Sequence, residues 1–213
     1  LAIAHIFSLS RNLPEADRSV RAGKWERNKF LGVELSGKTV GVVGFGTIGR
    51  LVAERCAGLK MRVLGFDPYV TEETFKEHVV EKKELEELLE KSDYVTLHCP
   101  VTDGTREMFN SELFSKMRKG AFLINCARGE LVNEVALAEA VESGLLAGAA
   151  VDVFNQEPPK DSPLLTLDNV YFTPHLGAST HEAQSAVGVE IAHSIASYLI
   201  KGEVRNAVNV PNL

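Results

Sequence analysis

The chain has 213 residues, 45% of them hydrophobic and 24% charged, with a formal net charge of −6. That is the composition of an ordinary globular protein with enough apolar material for a substantial core. The acidic balance argues against broad binding to nucleic acid or to anionic membranes. No uninterrupted apolar run in the sequence reaches the roughly 18 residues of a membrane span. The apolar opening Leu1–Leu9 lacks the basic start and small-residue cleavage site of a secretory signal. Cys56, Cys99 and Cys126 are odd in number and scattered, which fits reduced thiols and a cytoplasmic location.

In chain order, residues 1–22 read as helix, restarted at Pro14 and stopped at Gly23. From residue 38 onward, β-branched runs alternate with helical patterns, the mark of a parallel α/β sheet. The predicted strands are Thr39–Val43, Arg62–Phe66, Tyr94–His98, Ala121–Asn125, Gly148–Val153 and Val170–Thr173, with a weak extra strand at His78–Val80. Most are near-continuous apolar runs, as expected when helices cover both faces of the sheet. Helices are predicted at Ile48–Leu59, Lys83–Lys91, Asn110–Met117, Asn133–Ser143 and Thr180–Ile200. Asn110 and Asn133 are good N-caps, and Ser179 with Glu182 has capping-box spacing. The expected fold is therefore α/β, a Rossmann-type doubly wound parallel sheet in three α/β/α layers. The helix before the first strand and the irregular tail Val204–Leu213 are not needed by such a sheet, and they read as parts of a longer chain.

The first strand runs directly into Gly44-Phe45-Gly46-Thr47-Ile48-Gly49 and then a helix. Gly44 permits a tight turn, Gly46 lets the backbone approach a pyrophosphate, and Gly49 lets the helix pack on the strand. The free N–H groups of the helix N-terminus, around Thr47 and Ile48, favour the phosphates. Asp67 ends the second strand, and 67 − 44 = 23 positions is the spacing of an acid that binds the adenosine ribose. A carboxylate there accepts from a 2′-hydroxyl and repels a 2′-phosphate, so NAD is the expected cofactor rather than NADP.

In an open parallel sheet ligands bind outside the carboxyl ends of the strands. Arg128, Glu157 and His175 follow the ends of three successive predicted strands, so the fold should gather them at one edge. Removing a hydride from a hydroxyl-bearing carbon requires a base for the hydroxyl proton, and His175 has suitable chemistry. A carboxylate such as Glu157 beside it would orient the ring and favour the protonated form needed for carbonyl reduction. Arg128 can fork onto a substrate carboxylate. His5, His78, His98, His181 and His193 show no such convergence and read as surface or core residues. No Cys/His grouping has metal-site spacing.

These stretches, with Asn125-Cys-Ala-Arg-Gly129, Asp152-Val-Phe-Asn-Gln-Glu-Pro158 and Pro174-His-Leu-Gly177, resemble the D-isomer-specific 2-hydroxyacid dehydrogenases over essentially the whole chain. The resemblance implies that Arg128 binds substrate and that Glu157 and His175 form the acid/base pair. It implies that Asp152 contacts the nicotinamide amide, and that Cys99, Pro100, Thr105, Cys126, Ala127, Gly177 and Ala178 line the cofactor. His175-Leu-Gly-Ala-Ser-Thr180, Glu182-Ala-Gln184, Gly23-Lys-Trp25 and Asn206-Ala-Val-Asn209 are similar to the branch that oxidises 3-phosphoglycerate. A related enzyme acting on glyoxylate, hydroxypyruvate or lactate, and an NADH-sensing transcriptional corepressor on the same scaffold, are the alternatives. Asn133 stands where the family usually carries an acid, and Lys60 where it often has Gly. The resemblance also implies a separate substrate-binding domain, with residues 1–22 and 203–213 as connectors to it. It implies a homodimer formed through this domain, with an arm near Trp25, and a small hydroxyacid as substrate.

Overall fold

The computed structural model describes residues 1–205 and residue 207, and it divides into two units, Leu1–Gly177 and the segment from Ala178 onward. The first unit contains α1 (Ala2–Arg11), α2 (Leu13–Arg21), β1 (Thr39–Val43), α3 (Thr47–Gly58), β2 (Arg62–Phe66), α4 (Glu72–Glu77) and β3 (Glu81–Lys82). It continues with α5 (Leu85–Lys91), β4 (Tyr94–Leu97), α6 (Ser111–Ser115), β5 (Ala121–Asn125), α7 (Glu134–Glu142), β6 (Leu146–Val151) and β7 (Val170–Phe172). The seven strands form one sheet in the order β3-β2-β1-β4-β5-β6-β7, and every pairing is parallel. The order reverses between β1 and β4, which places the ligand crevice of a doubly wound sheet at their carboxyl ends.

Alternation along the strands divides the core between the two faces. Val43, Val95, Leu97, Leu123 and Val151 pack with Leu88 and Leu89 of α5 and Leu137 of α7. Val40, Val42, Tyr94, Ile124 and Ala150 pack with Ile6 and Leu9 of α1 and Val52, Ala53 and Cys56 of α3. The protein is thus a three-layer Rossmann-type fold. Each fully buried Leu or Phe in these clusters contributes roughly 1.5–3 kcal/mol relative to leaving it in water. Gly41 has no room for a side chain, since a Cβ there would lie 2.3 Å from the Leu88 side chain.

Several boundaries differ from the sequence reading. The first helix breaks at Asn12, held left-handed at φ 51, while Pro14 sits harmlessly in the first turn of α2. The weak strand expected at His78–Val80 lies instead at Glu81–Lys82. Val79 turns the chain at φ 56, and the Val79 and Val80 N–H groups donate back to the Lys76 and Phe75 carbonyls, so neither joins the ladder. The fifth α/β unit starts early, with β6 at Leu146–Val151, because Gly120 N–H donates to the Leu145 carbonyl and pins the chain there. The short α4 has no predicted counterpart.

In the second unit, α8 (His181–Lys201) is capped by Thr180, whose hydroxyl accepts from the Ala183 N–H, rather than by the expected Ser179–Glu182 box. Gly202 closes it in the left-handed conformation at φ 70. Of the segment Asn206–Asn209 and the tail, only Ala207 is among the described residues beyond Arg205. None of the helices among the described residues is long and apolar enough to cross a membrane.

Candidate active site

The glycine turn is built by close approach. Gly44 has φ 93, and a Cβ on it would lie 2.5 Å from the Cys99 nitrogen, so β1 and the segment after β4 touch backbone to backbone. A Cβ on Gly49 would lie 2.1 Å from the Gly44 carbonyl oxygen, whereas one on Gly46 would meet nothing within 4 Å. Two glycines are therefore required by the fold, and the third leaves open space at the N-terminus of α3, which begins at Thr47. Ile48 is exposed there. A pyrophosphate group needs that combination of open backbone and unpaired N–H groups.

Asp67 follows β2 and faces this turn. Its Oδ2 accepts from the Phe45 N–H at 2.8 Å and its Oδ1 from the Tyr69 N–H at 2.9 Å. Each oxygen keeps acceptor capacity for a ribose hydroxyl, so the residues present fit NAD. Past β4, Thr105 folds its loop back, donating to the Pro100 carbonyl at 2.7 Å and accepting from the Thr102 N–H at 2.8 Å. Burial, with the Asp67 charge adding to it, raises the Cys99 thiol above its ordinary pKa. Burial pushes Cys126 up to about 12. Neither cysteine is a reactive thiolate at neutral pH.

The carboxyl ends of β5, β6 and β7 bring the polar trio together. Arg128 leaves β5 through a turn tied by the Asn125 side chain, which accepts from the Ala127 N–H at 3.1 Å and donates to the Arg128 carbonyl at 2.9 Å. Gly129 then packs on the segment that carries Glu157, since a Cβ there would lie 2.1 Å from the Phe154 carbonyl. Glu157 Oε1 accepts from the Phe154 N–H at 3.1 Å, and its Oε2 lies 2.7 Å from Nδ1 of His175. The hydrogen bond to His175 holds the Glu157 carboxyl below its ordinary pKa, and the Arg128 charge acts in the same direction. Both side chains of the pair remain accessible, at 51% for His175 and 38% for Glu157, so a substrate can reach them.

His175 is backbone-strained, with φ 55, a conformation that costs a non-glycine residue about 1–3 kcal/mol. Asp152, fully buried at the end of β6, fixes it there. The Asp152 carbonyl accepts from the His175 N–H at 2.9 Å. The Asp152 carboxylate accepts from the Leu176 N–H at 2.7 Å, the Gly177 N–H at 2.9 Å and the Thr173 hydroxyl at 2.5 Å. A Cβ on Gly177 would lie 3.4 Å from Asp152 and 3.9 Å from the Cys126 carbonyl oxygen, so these three expected cofactor residues are neighbours. Ala178 opens the second unit.

A family model described as D-isomer specific 2-hydroxyacid dehydrogenase, NAD binding domain, matches residues 3–177. The chain belongs to this family. It is 48% identical over 213 residues to a D-3-phosphoglycerate dehydrogenase of Archaeoglobus fulgidus, covering 100% of this chain and 40% of that protein. It is 46% identical over 215 residues to the D-3-phosphoglycerate dehydrogenase of Methanocaldococcus jannaschii, covering 100% and 41%. The chain therefore spans about two-fifths of the length of these curated relatives. Among solved structures, a glyoxylate reductase from Paecilomyes thermophila superposes with TM-score 0.91 at 30% identity, over 98% of this chain and 63% of that one. A D-lactate dehydrogenase from Aquifex aeolicus, crystallised with NAD and lactic acid, gives TM-score 0.88 at 31% identity, over 99% and 69%. NAD is the cofactor of this domain.

Two supporting residues have no role in the sequence reading, Asn125 at the head of the Asn125–Gly129 stretch and Thr173 just before Pro174. Asn125 and Thr173 each end an apolar strand run with a single polar side chain, and in this fold the end of a strand is where the ligand edge lies.

Proposed function

We propose that the protein carrying this domain oxidises 3-phospho-D-glycerate to 3-phosphohydroxypyruvate, the entry step to serine synthesis, with NAD as oxidant. The observation that carries the chemistry is the 2.7 Å contact between Glu157 Oε2 and His175 Nδ1. With Nδ1 held by the carboxylate, Nε2 is the ring atom left to take the substrate hydroxyl proton. Arg128, exposed at the end of β5, forks onto the substrate carboxylate and so orients the hydroxyl-bearing carbon and its hydroxyl relative to His175. NAD, held by the open backbone at Gly46 and by Asp67, would supply the hydride acceptor. In the reverse direction His175, protonated beside Glu157, returns the proton to the carbonyl oxygen, and Arg128 holds the same carboxylate.

The phosphoglycerate assignment is supported by identity across the full chain, which is higher for the phosphoglycerate-named relatives than for the glyoxylate- and lactate-named structures. We further assign residues 1–22 and 203–213 as connectors to a substrate-binding domain. A homodimer forms through this domain in the cytoplasm. The exposure of Trp25 and Leu31, at 79% and 80%, supports a contact in the arm between α2 and β1.

The test is a substrate panel on the full-length protein, following NADH at neutral and alkaline pH. Turnover of 3-phosphoglycerate with kcat/KM at least tenfold above glyoxylate, hydroxypyruvate or lactate chemistry is expected. A preference for one of those acids would reassign the substrate, and no turnover of any 2-hydroxyacid would overturn the enzymatic reading.

A further inference from the structure

His5 stands at a core position of α1. The buried residues Ala2, Ile6 and Leu9 lie three before, one after and four after it, on a helical face spaced i, i+3, i+4, i+7. An apolar side chain is the ordinary occupant of such a place, yet the imidazole is 5% exposed. It is not idle, because His5 Nε2 lies 3.1 Å from the Thr173 hydroxyl oxygen. That hydroxyl donates its single hydrogen to Asp152 Oδ1 at 2.5 Å. Thr173 Oγ1 can then only accept from His5, so the ring carries its hydrogen on Nε2. Burial keeps the imidazole below its ordinary pKa, against the opposing pull of Asp152, so a neutral ring of this single tautomer fits the site.

We propose that His5 is a positioning residue for the His175 loop, acting through a one-way donor chain from His5 Nε2–H to Thr173 Oγ1–H to the Asp152 carboxylate. The role rests on His175 being the acid/base residue. Asp152 is the hub of the chain, for its carboxylate and carbonyl together hold the N–H groups of His175, Leu176 and Gly177. These three residues include the strained backbone at φ 55, whose alternative conformations are lower in local energy. Directing the Thr173 hydrogen at Asp152 completes the set of donors that keeps the carboxylate in the orientation the loop requires. The other imidazole tautomer would present a lone pair to Thr173 and draw its hydrogen away from Asp152. The helix α1 is thereby coupled to the catalytic loop by a directional polar contact and not by packing alone.

The experiment compares His5→Leu, His5→Gln and the Thr173→Val double variants in the full-length protein. Amide hydrogen exchange at Leu176 and Gly177 is the readout that needs no turnover. Exchange about tenfold faster in His5→Leu is expected, with the wild-type rate regained in His5→Gln, whose amide N–H can reach Thr173. The same variants should lower kcat about tenfold and recover it to within about threefold, while NADH affinity stays within about twofold. In a Thr173→Val background, His5→Leu should cause no further change. Wild-type exchange in His5→Leu, or equal losses in His5→Gln, or additive effects with Thr173→Val, would overturn the proposal. If His5→Leu does not fold, Thr173→Ser and Thr173→Val carry the same comparison, the first retaining slow exchange and the second losing it. A protein inactive on every 2-hydroxyacid but with the expected exchange pattern would sink the enzymatic reading and leave the donor chain standing.

Discussion

Glu157 and His175 meet at 2.7 Å between Oε2 and Nδ1, although they are carried by different segments, one following β6 and the other β7. The contact joins a carboxylate fixed by the Phe154 N–H to a ring whose backbone is fixed by Asp152. Its effect on Glu157 is to depress the carboxyl pKa. A group whose folded pKa is depressed contributes stability that is present above its unfolded pKa and lost as pH falls through the folded value. Glu157→Gln should therefore match wild type in Tm least well at neutral pH, and the gap should close below about pH 4.3. With both side chains accessible, the gap should not exceed about 1 kcal/mol. Thermal melts of both proteins from pH 3 to 7 decide it, and a gap that widens on acidification would contradict the assignment. The same variant should lower kcat about tenfold to a hundredfold, since the ring keeps a partner but loses its charge.

His175→Asn should leave the fold and the cofactor site intact. Asn is well tolerated at positive φ, so the backbone at φ 55 is retained, and the N–H bond to Asp152 with it. Turnover in the full-length protein should fall by at least about a thousandfold, with NADH affinity by fluorescence titration changed less than about threefold. Wild-type turnover would remove His175 from its role.

Much of this site was legible in the sequence, and the reasons for the gaps are local. Arg128, Glu157 and His175 could be gathered because each follows a strand, and parallel strands share one carboxyl edge. Asp67 was placed by its distance from Gly44. β6 lies two residues before the Gly148–Val153 expected from sequence, because Leu146–Val151 contains Ala-Gly-Ala-Ala, small residues that carry little β signal. The edge strand at Glu81–Lys82 is two charged residues long, and its pairing with β2 includes the Arg62–Glu81 ion pair, a partner nineteen positions away that local β propensity does not reveal. By spacing His5 groups with the other histidines, although a polar residue on the apolar stripe of α1 is a signal in its own right. What sequence spacing cannot carry is direction: which atom of His5 bears hydrogen follows only once Thr173 and Asp152 are in place.

Asp67 should set the choice of dinucleotide. In Asp67→Ala the Phe45 N–H loses its 2.8 Å acceptor, and the repulsion of a 2′-phosphate is removed. NADH should bind about tenfold more weakly and NADPH more tightly, so the ratio of their dissociation constants moves toward one. Calorimetric titration with both reagents measures this. A variant that still prefers NADH by the wild-type ratio would show that the discrimination lies elsewhere.

The glycine turn offers a contrast between two residues of the same motif. In Gly49→Ala the new methyl group would sit 2.1 Å from the Gly44 carbonyl oxygen, a backbone atom that cannot move without dragging β1 from the sheet. A loss of about 2 kcal/mol or more in stability is expected, on the scale of core overpacking. In Gly46→Ala the methyl group meets nothing within 4 Å, and the backbone at φ −73 suits any residue. That variant should melt at nearly the wild-type temperature, yet bind NADH at least about tenfold more weakly, because the methyl stands where the pyrophosphate must approach. Urea denaturation and NADH titration of both variants separate the two roles. A Gly46→Ala protein with unchanged affinity would move the phosphate away from the N-terminus of α3.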